Sequence, residues 1–164
     1  MIIIEFFAAL VCVTIIIYYY FKYSSNRSNY DKVSFKEALD LCDLPVITFI
    51  NNGIKLNFLL DTGANKSVIS CDVLNLPIEY NKSDKSGTIF GMEGNAREVS
   101  YINMDISYKN KVFNDTFQVL DMSAAFDRIK KNDGVTLHGV LSHNFFQKYK
   151  YILDFDELIA YSKK

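Results

Sequence analysis

Asp61-Thr62-Gly63 ends an apolar run, Phe58-Leu59-Leu60, and opens a polar turn, Ala64-Asn65-Lys66-Ser67, before the chain becomes hydrophobic again at Val68-Ile69. An apolar run of this length bounded by turn residues predicts a buried strand. The acid therefore sits where a core ends, which can hold a carboxylate in one rotamer beside water. Gly63 frees the geometry of the turn and lets a ligand backbone come close. Thr62 brings a hydroxyl that can bond to a neighbour, and Ser67 one that can tie the loop together. A positioned carboxylate suits general acid–base work on a hydrolysable bond. One carboxylate is a poor peptide hydrolase, because activating water and protonating the carbonyl require opposite protonation states. Two carboxylates a few Å apart solve this, since like charges that close share one proton. The sequence holds a single Asp-Thr-Gly and no Asp-Ser-Gly.

Other chemistries find less support. Cys12, Cys42 and Cys71 match no zinc spacing with His138 and His143, the two imidazoles. The cysteines are expected to be small buried thiols, and the histidines structural, since no Ser or Cys nucleophile is paired with them. Asp-x-Gly-x-x-x-Ser also occurs in phosphate loops of large two-lobed α/β kinases, but this chain lacks the length and the βαβ alternation. A formal net charge of −1 with no Lys/Arg stripe excludes a nucleic-acid footprint. No metal or cofactor is called for.

The elements that position Asp61 are mostly strands. VITFI and IKLNFLL flank Asn51-Asn52-Gly53, a hairpin signal. Val68–Leu74 predicts a strand followed by a helical turn. Residues 86–108, punctuated by Gly87, Gly91 and Gly94, predict a hairpin, and Tyr108-Lys109-Asn110-Lys111 a turn into the strand VFNDTFQVLD. DMSAAFDRIKKND (121–133) predicts an amphipathic helix capped by Asp121 or Ser123, with Lys130-Lys131 as its solvated end. Ser34 to Glu37 has capping-box spacing for a short helix through Leu41. The chain ends in strand, short helix, strand and strand, with Asp154 and Asp156 on the solvent side. The class is mainly β with a few short helices, a small barrel or sandwich.

Ahead of this part stands a different segment. Residues 2–21 read IIIEFFAALVCVTIIIYYYF, with Glu5 as the only charge. A helix of that length spans roughly 30 Å, the thickness of a bilayer's hydrocarbon, and Tyr18-Tyr19-Tyr20 would lie in an interfacial belt. A cleavable signal peptide fits poorly, because no basic segment precedes the run and no small-residue site follows it. The organisation expected is a single transmembrane anchor at 2–21, a polar linker at 22–33 and a folded domain at 34–164. Lys22, Arg27, Lys32 and Lys36 follow the span and no Lys or Arg precedes it, so the positive-inside rule puts the domain in the cytoplasm; the opposite topology stays open.

FLLDTGANKSVIS (58–70) resembles the active-site signature of the retropepsin-like aspartic proteases: two apolar residues, Asp-Thr-Gly-Ala, then Ser three residues after the Ala. Gly91-Met92-Glu93-Gly94 lies where that family keeps its flap. VLSHNFF (140–146), followed by YILDF (151–155), resembles the second signature, in which two apolar residues and a Gly form a strand beneath the catalytic loop and a helix follows. The resemblance covers about residues 45–160 and, with the anchor, is to the bacterial type of the family. It implies a single-lobed closed barrel acting as a homodimer, each chain bringing one aspartate to a two-fold axis. It implies Asp61 as catalytic acid/base, Thr62 in cross-dimer hydrogen bonds and Gly63 along the substrate backbone. Ala64, Asn65 and Ser67 complete the loop, the 91–94 tip covers a peptide or protein substrate, and Val140, Leu141 and Ser142 support the loop. The activity implied is that of a membrane-anchored aspartic endopeptidase without a cofactor. Two positions depart. Ser142 stands where the family usually has Gly and is expected to crowd the loop, and Asn65 stands where an acid often contacts substrate. These departures keep open a second reading, a membrane-tethered dimerisation or peptide-binding module.

Overall fold

The computed structural model describes residues 13–20, 32–90 and 96–162. The chain divides into two compact units, Met1–Asp31 and Lys32–Lys164. In the first, residues 13–20 form helix α1, exposed along its length. Among the described residues no helix is long and apolar enough to cross a membrane. The rest of the predicted span, 2–12 and 21, lies outside the described residues, as do linker residues 22–31 and the predicted flap tip, Gly91, Met92, Glu93 and Gly94.

The second unit runs β1 (Val33–Ser34), α2 (Lys36–Cys42), β2 (Val46–Asn51), β3 (Ile54–Leu60), β4 (Ser67–Ser70), a 3-10 turn (Cys71–Asn75), β5 (Asn81–Phe90), β6 (Ala96–Tyr108), β7 (Lys111–Leu120), α3 (Ser123–Asp133), β8 (Gly139–Leu141), α4 (His143–Tyr149), β9 (Tyr151–Asp154) and β10 (Ile159–Ser162). The β2–β3 hairpin forms as its turn residues dictate. Asn52 and Gly53 take φ of 47° and 78°, the left-handed pair that a two-residue turn needs and that Asn and Gly adopt at least cost.

β3 then pairs in parallel with β8, β8 antiparallel with β4, β4 in parallel with β7, and β7 antiparallel with β6. β6 returns to β2 at Ile50↔Ser107, where the Ser107 hydroxyl donates to the Ile50 carbonyl at 3.0 Å. Six strands thus close a barrel, and β5 extends β6 as a hairpin arm. The choice left open between barrel and sandwich falls to the barrel. A separate three-stranded sheet orders β1, β10 and β9.

Alternating apolar residues fill the barrel. Phe49, Phe58, Phe117 and Phe145 are fully buried, and Phe113 nearly so. Their rings meet edge-on or tilted, Phe49 to Phe58 at 6.0 Å, Phe58 to Phe117 at 5.6 Å and Phe113 to Phe145 at 5.5 Å, the geometry that aromatic quadrupoles favour. Phe145 comes from α4, so the helix after β8 is anchored in the same core. A second cluster, Val46, Phe126, Leu137 and Val140, lies beneath α3.

Several local expectations shift. Phe35, not Ser34, is the N-cap of α2; Ser34 Oγ accepts from the Lys36 amide at 3.2 Å, because Val33 and Ser34 are held in β1. Met122 caps α3, while Asp121 Oδ1 takes the Ser123 amide at 3.0 Å and its hydroxyl at 2.6 Å. Val135–Leu137 form no strand, and only Gly139–Leu141 enter the barrel. Cys71 is exposed, against the expected burial, since it opens the 3-10 turn that leaves β4; Cys42 is half-buried and donates to the Ala38 carbonyl. Asp154 Oδ1 accepts the amides of Asp156 and Glu157, shaping the β9–β10 turn.

Gly139 is where the barrel is tightest. A Cβ there would stand 2.4 Å from the Val68 carbonyl oxygen and 2.7 Å from a Phe58 ring carbon. Neither the β4 backbone nor a core ring can retreat without loosening the β3–β8–β4 pairing. Gly139→Ala is expected to lower stability by about 3 kcal/mol, as core overpacking does, read as a lower urea midpoint.

Candidate active site

Leu60, 3% exposed, ends β3 inside the barrel, and its amide donates to the Pro45 carbonyl at 2.9 Å. The next amide, of Asp61, donates to Leu141 O at 3.0 Å. The acid therefore leaves the core at the point where β3 and β8 end side by side. Asp61 is half-buried; Thr62, Gly63 and Asn65 are exposed. The carboxylate turns back on its own loop, Oδ1 accepting the Gly63 amide at 2.8 Å. Gly63 does not take a left-handed φ. Its lack of a side chain matters for another reason: a Cβ would lie 3.2 Å from Asp61 Oδ1.

The loop is stitched to the β8–α4 junction along its length. Ala64 O accepts the His143 amide at 3.0 Å and also lies 2.9 Å from His143 Nδ1. A carbonyl only accepts, so Nδ1 carries the proton. Asn65 O accepts from Asn144 Nδ2 at 2.6 Å. Ser67 Oγ accepts the Ser142 amide at 3.3 Å. Val140 and Leu141 supply the strand, with Val140 paired to Leu59 and Leu141 to Leu60.

Ser142 does not crowd this arrangement. It has φ −90° and ψ 170°, extended backbone open to any residue. Its side chain, 1% exposed, lies with Oγ 3.3 Å from Ser67 Oγ. Ser67 Oγ in turn donates to Asp115 Oδ2 at 2.6 Å. With its one hydroxyl proton given to the carboxylate, Ser67 accepts from both the amide and the hydroxyl of Ser142. The glycine position carries a hydroxyl because a partner is waiting for it.

Asp115 was not singled out in the sequence. Burial pushes its carboxyl above the usual carboxylate range, against the opposing effects of the Ser67 hydroxyl, the Thr116 amide and the Lys148 and Lys66 charges. The signal was in the period-2 pattern of β7, since Asp115 alternates with Phe113 and Phe117, both buried. An acid in register with two core aromatics must face inward. A cavity of about 600 Å³ opens beside it, lined by Lys66, Ser67, Asp84, Tyr101, Asp115, Ser142 and Asn144 among others. A larger cleft of about 740 Å³ lies around Asn51, Glu79 and Asp105 and includes no residue of the Asp61 loop. The Asn51 amide there is bonded to the backbone of Glu79 and Asp105.

Both histidines are bonded to backbone groups through Nδ1. His138 Nδ1 accepts the Asn57 amide at 2.9 Å, and burial pushes its pKa down, favouring the neutral ring this bond needs. Among the described residues no three His, Cys, Asp or Glu side chains cluster as metal ligands.

The raised Asp115 carboxyl makes stability pH-dependent. The folded state holds that proton to higher pH than the unfolded chain, whose carboxyl titrates near 3.8. This group's contribution is therefore most favourable in acid and declines as pH rises from about 3.8 through the folded-state titration. Relative to Asp115→Asn, the wild type is expected to lose stability over that interval and to level off above it, as measured by urea unfolding across pH.

A family model described as retroviral aspartyl protease matches residues 42–142, more than half of the chain. No curated protein matches the sequence. Among solved structures, EIAV protease complexed with the inhibitor HBY-793 is similar at 22% identity and a TM-score of 0.49, over 68% of this chain and 93% of that one. The chain belongs to the retroviral aspartyl protease family and is an aspartic endopeptidase.

Proposed function

We propose that two copies of this chain form a membrane-anchored homodimeric peptidase whose catalytic pair is Asp61 and its symmetry mate. The observation that carries the reading is the loop itself. Asp61 is held from beneath by Leu141 O, while Thr62 and Gly63 face outward and exposed. One chain brings one such acid, and peptide hydrolysis by carboxylates needs two. A two-fold axis through this loop supplies the second, with Thr62 bonding across the axis.

In this reading a water sits between the two carboxyls, which share one proton. The ionised member takes a proton from the water as its oxygen attacks the scissile carbonyl, and the protonated member gives its proton to the carbonyl oxygen. As the tetrahedral diol collapses, the newly protonated carboxyl gives its proton to the leaving nitrogen while its ionised partner takes one from a diol hydroxyl, so the pair again shares one proton. Gly63 lies along the substrate backbone, Asn65 helps to anchor the peptide, and the 91–94 tip closes over it and excludes bulk water. No cofactor takes part. The buried, hydrogen-bonded Ser142 supports activity over a binding-only role, since it leaves the loop's contacts intact.

Residues 2–21 serve as a single-pass anchor, and residues 22–33 as a tether. The uncharged, exposed stretch 13–20 supports this, as does the cluster of basic residues that follows and would place the domain in the cytoplasm. Two domains tethered in one membrane meet at raised effective concentration, which favours a weak dimer.

Full-length protein is expected to cleave peptides and to be blocked by a statine-type inhibitor. Asp61→Asn should lower kcat on the order of 10³-fold while still dimerising by analytical ultracentrifugation. Equal cleavage by both proteins would sink the aspartic mechanism; cleavage by neither would favour the binding module. Deleting residues 2–21 should move the protein from the membrane fraction to the soluble one.

A further inference from the structure

Asp115 has no place in the reading above, yet a carboxylate is costly to keep among core aromatics. It touches the site through one side chain. Its Oδ2 takes the Ser67 proton at 2.6 Å, and Ser67 Oγ takes the Ser142 amide at 3.3 Å. Ser142 follows Leu141, whose carbonyl holds the Asp61 amide. Half-buried Asp115 and buried Ser67 and Ser142 form a chain that ends at the backbone beneath Asp61. We propose that Asp115 is a positioning residue for the Asp61 loop, acting through the Ser67 hydroxyl onto the backbone and hydroxyl of Ser142.

The direction of the hydrogen bonds is what the charge decides. An ionised Asp115 only accepts, so Ser67 must donate to it and present both lone pairs to Ser142. A protonated Asp115 can donate to Ser67 instead; Ser67 then turns its own proton to Ser142 Oγ, which reverses the bond between the two hydroxyls and leaves Ser67 a single lone pair for the Ser142 amide. The other titratable groups facing this carboxyl are Lys66 on the loop, Lys148 on α4, and Asp84 and Tyr101 across the cavity from β5 and β6. The two lysines favour the ionised form. Burial raises this carboxyl's titration and so moves the switch upward in pH from the ordinary carboxylate range.

For its catalytic half the proposal rests on the Asp61 dyad; its structural half does not, and the two are tested apart. In the full-length Asp61→Asn chain, which removes Asp61's own titration, the Ser142 amide resonance is expected to shift with the same midpoint as the Asp115 carboxyl. A Ser142 amide that stays silent while Asp115 titrates overturns the proposal, whether or not the protein cleaves peptides. With the active chain, Asp115→Asn is expected to lower kcat about tenfold at pH above the Asp115 titration, the difference between a charge-assisted and a neutral hydrogen bond, with KM little changed. The ratio of wild-type to variant kcat should fall towards one as pH drops through the Asp115 titration. A ratio constant across pH, or an effect on KM alone, overturns it. Ser67→Ala cuts the same link with the charge retained, so adding Asp115→Asn to it should change kcat no further. An undiminished second loss overturns it too.

Discussion

The parallel pairing of β3 with β8 is the constraint from which the site follows. These strands belong to distant parts of the chain, and their register, Phe58↔Gly139 through Leu60↔Leu141, brings Asp61 over the end of β8. Antiparallel β4 lies against the other edge of β8, with Val68 opposite Val140. So short a strand between two neighbours leaves no space for a side chain where backbone and ring converge. Gly139 meets that limit, with the Val68 carbonyl and the Phe58 ring on either side. The aromatic core holds the arrangement from within, because Phe58 on β3, Phe117 on β7 and Phe145 on α4 are all fully buried.

From that pairing the loop inherits its rigidity. Residues 61–67 hold little apolar surface, so their order depends on hydrogen bonds to the segment beneath. Asp61, Ala64, Asn65 and Ser67 each find a partner among Leu141 to Asn144. Each such bond contributes about 1 kcal/mol, and Ala64 adds packing against the cluster beneath α3. The exposed Thr62 and Gly63 face away from this scaffold. A catalytic carboxylate requires that division, fixed from below and open above.

Ser142 and Asp115 show how a departure from a family pattern is absorbed. The hydroxyl that a serine brings in place of glycine would cost stability in this buried position if it were left unpaired. It is paired because Ser67 has an acceptor site to spare, and Ser67 has one because Asp115 takes its proton. Asp115 in turn stays tolerable beside the core because the Ser67 hydroxyl, the Thr116 amide and two lysines offset part of its desolvation.

Much was legible in the residues themselves. Asn52-Gly53 determined the first hairpin, because few other residues take left-handed φ in succession. The alternation of VITFI, IKLNFLL and VFNDTFQVL determined strands, and the run FLLDTGA determined an acid at the edge of a core. What these patterns left undecided was which strands become neighbours. Local periodicity sets which face of a strand is buried but is silent on long-range partners. Closure of the barrel, the convergence of Gly139 with Phe58 and Val68, and the fit of Ser142 depended on contacts between distant segments. Asp115 belongs to both kinds. Its register with Phe113 and Phe117 marked it as inward-facing, but only the tertiary structure put Ser67 and Ser142 within reach, because a hydrogen bond is decided by where two segments of the chain meet and not by either one alone.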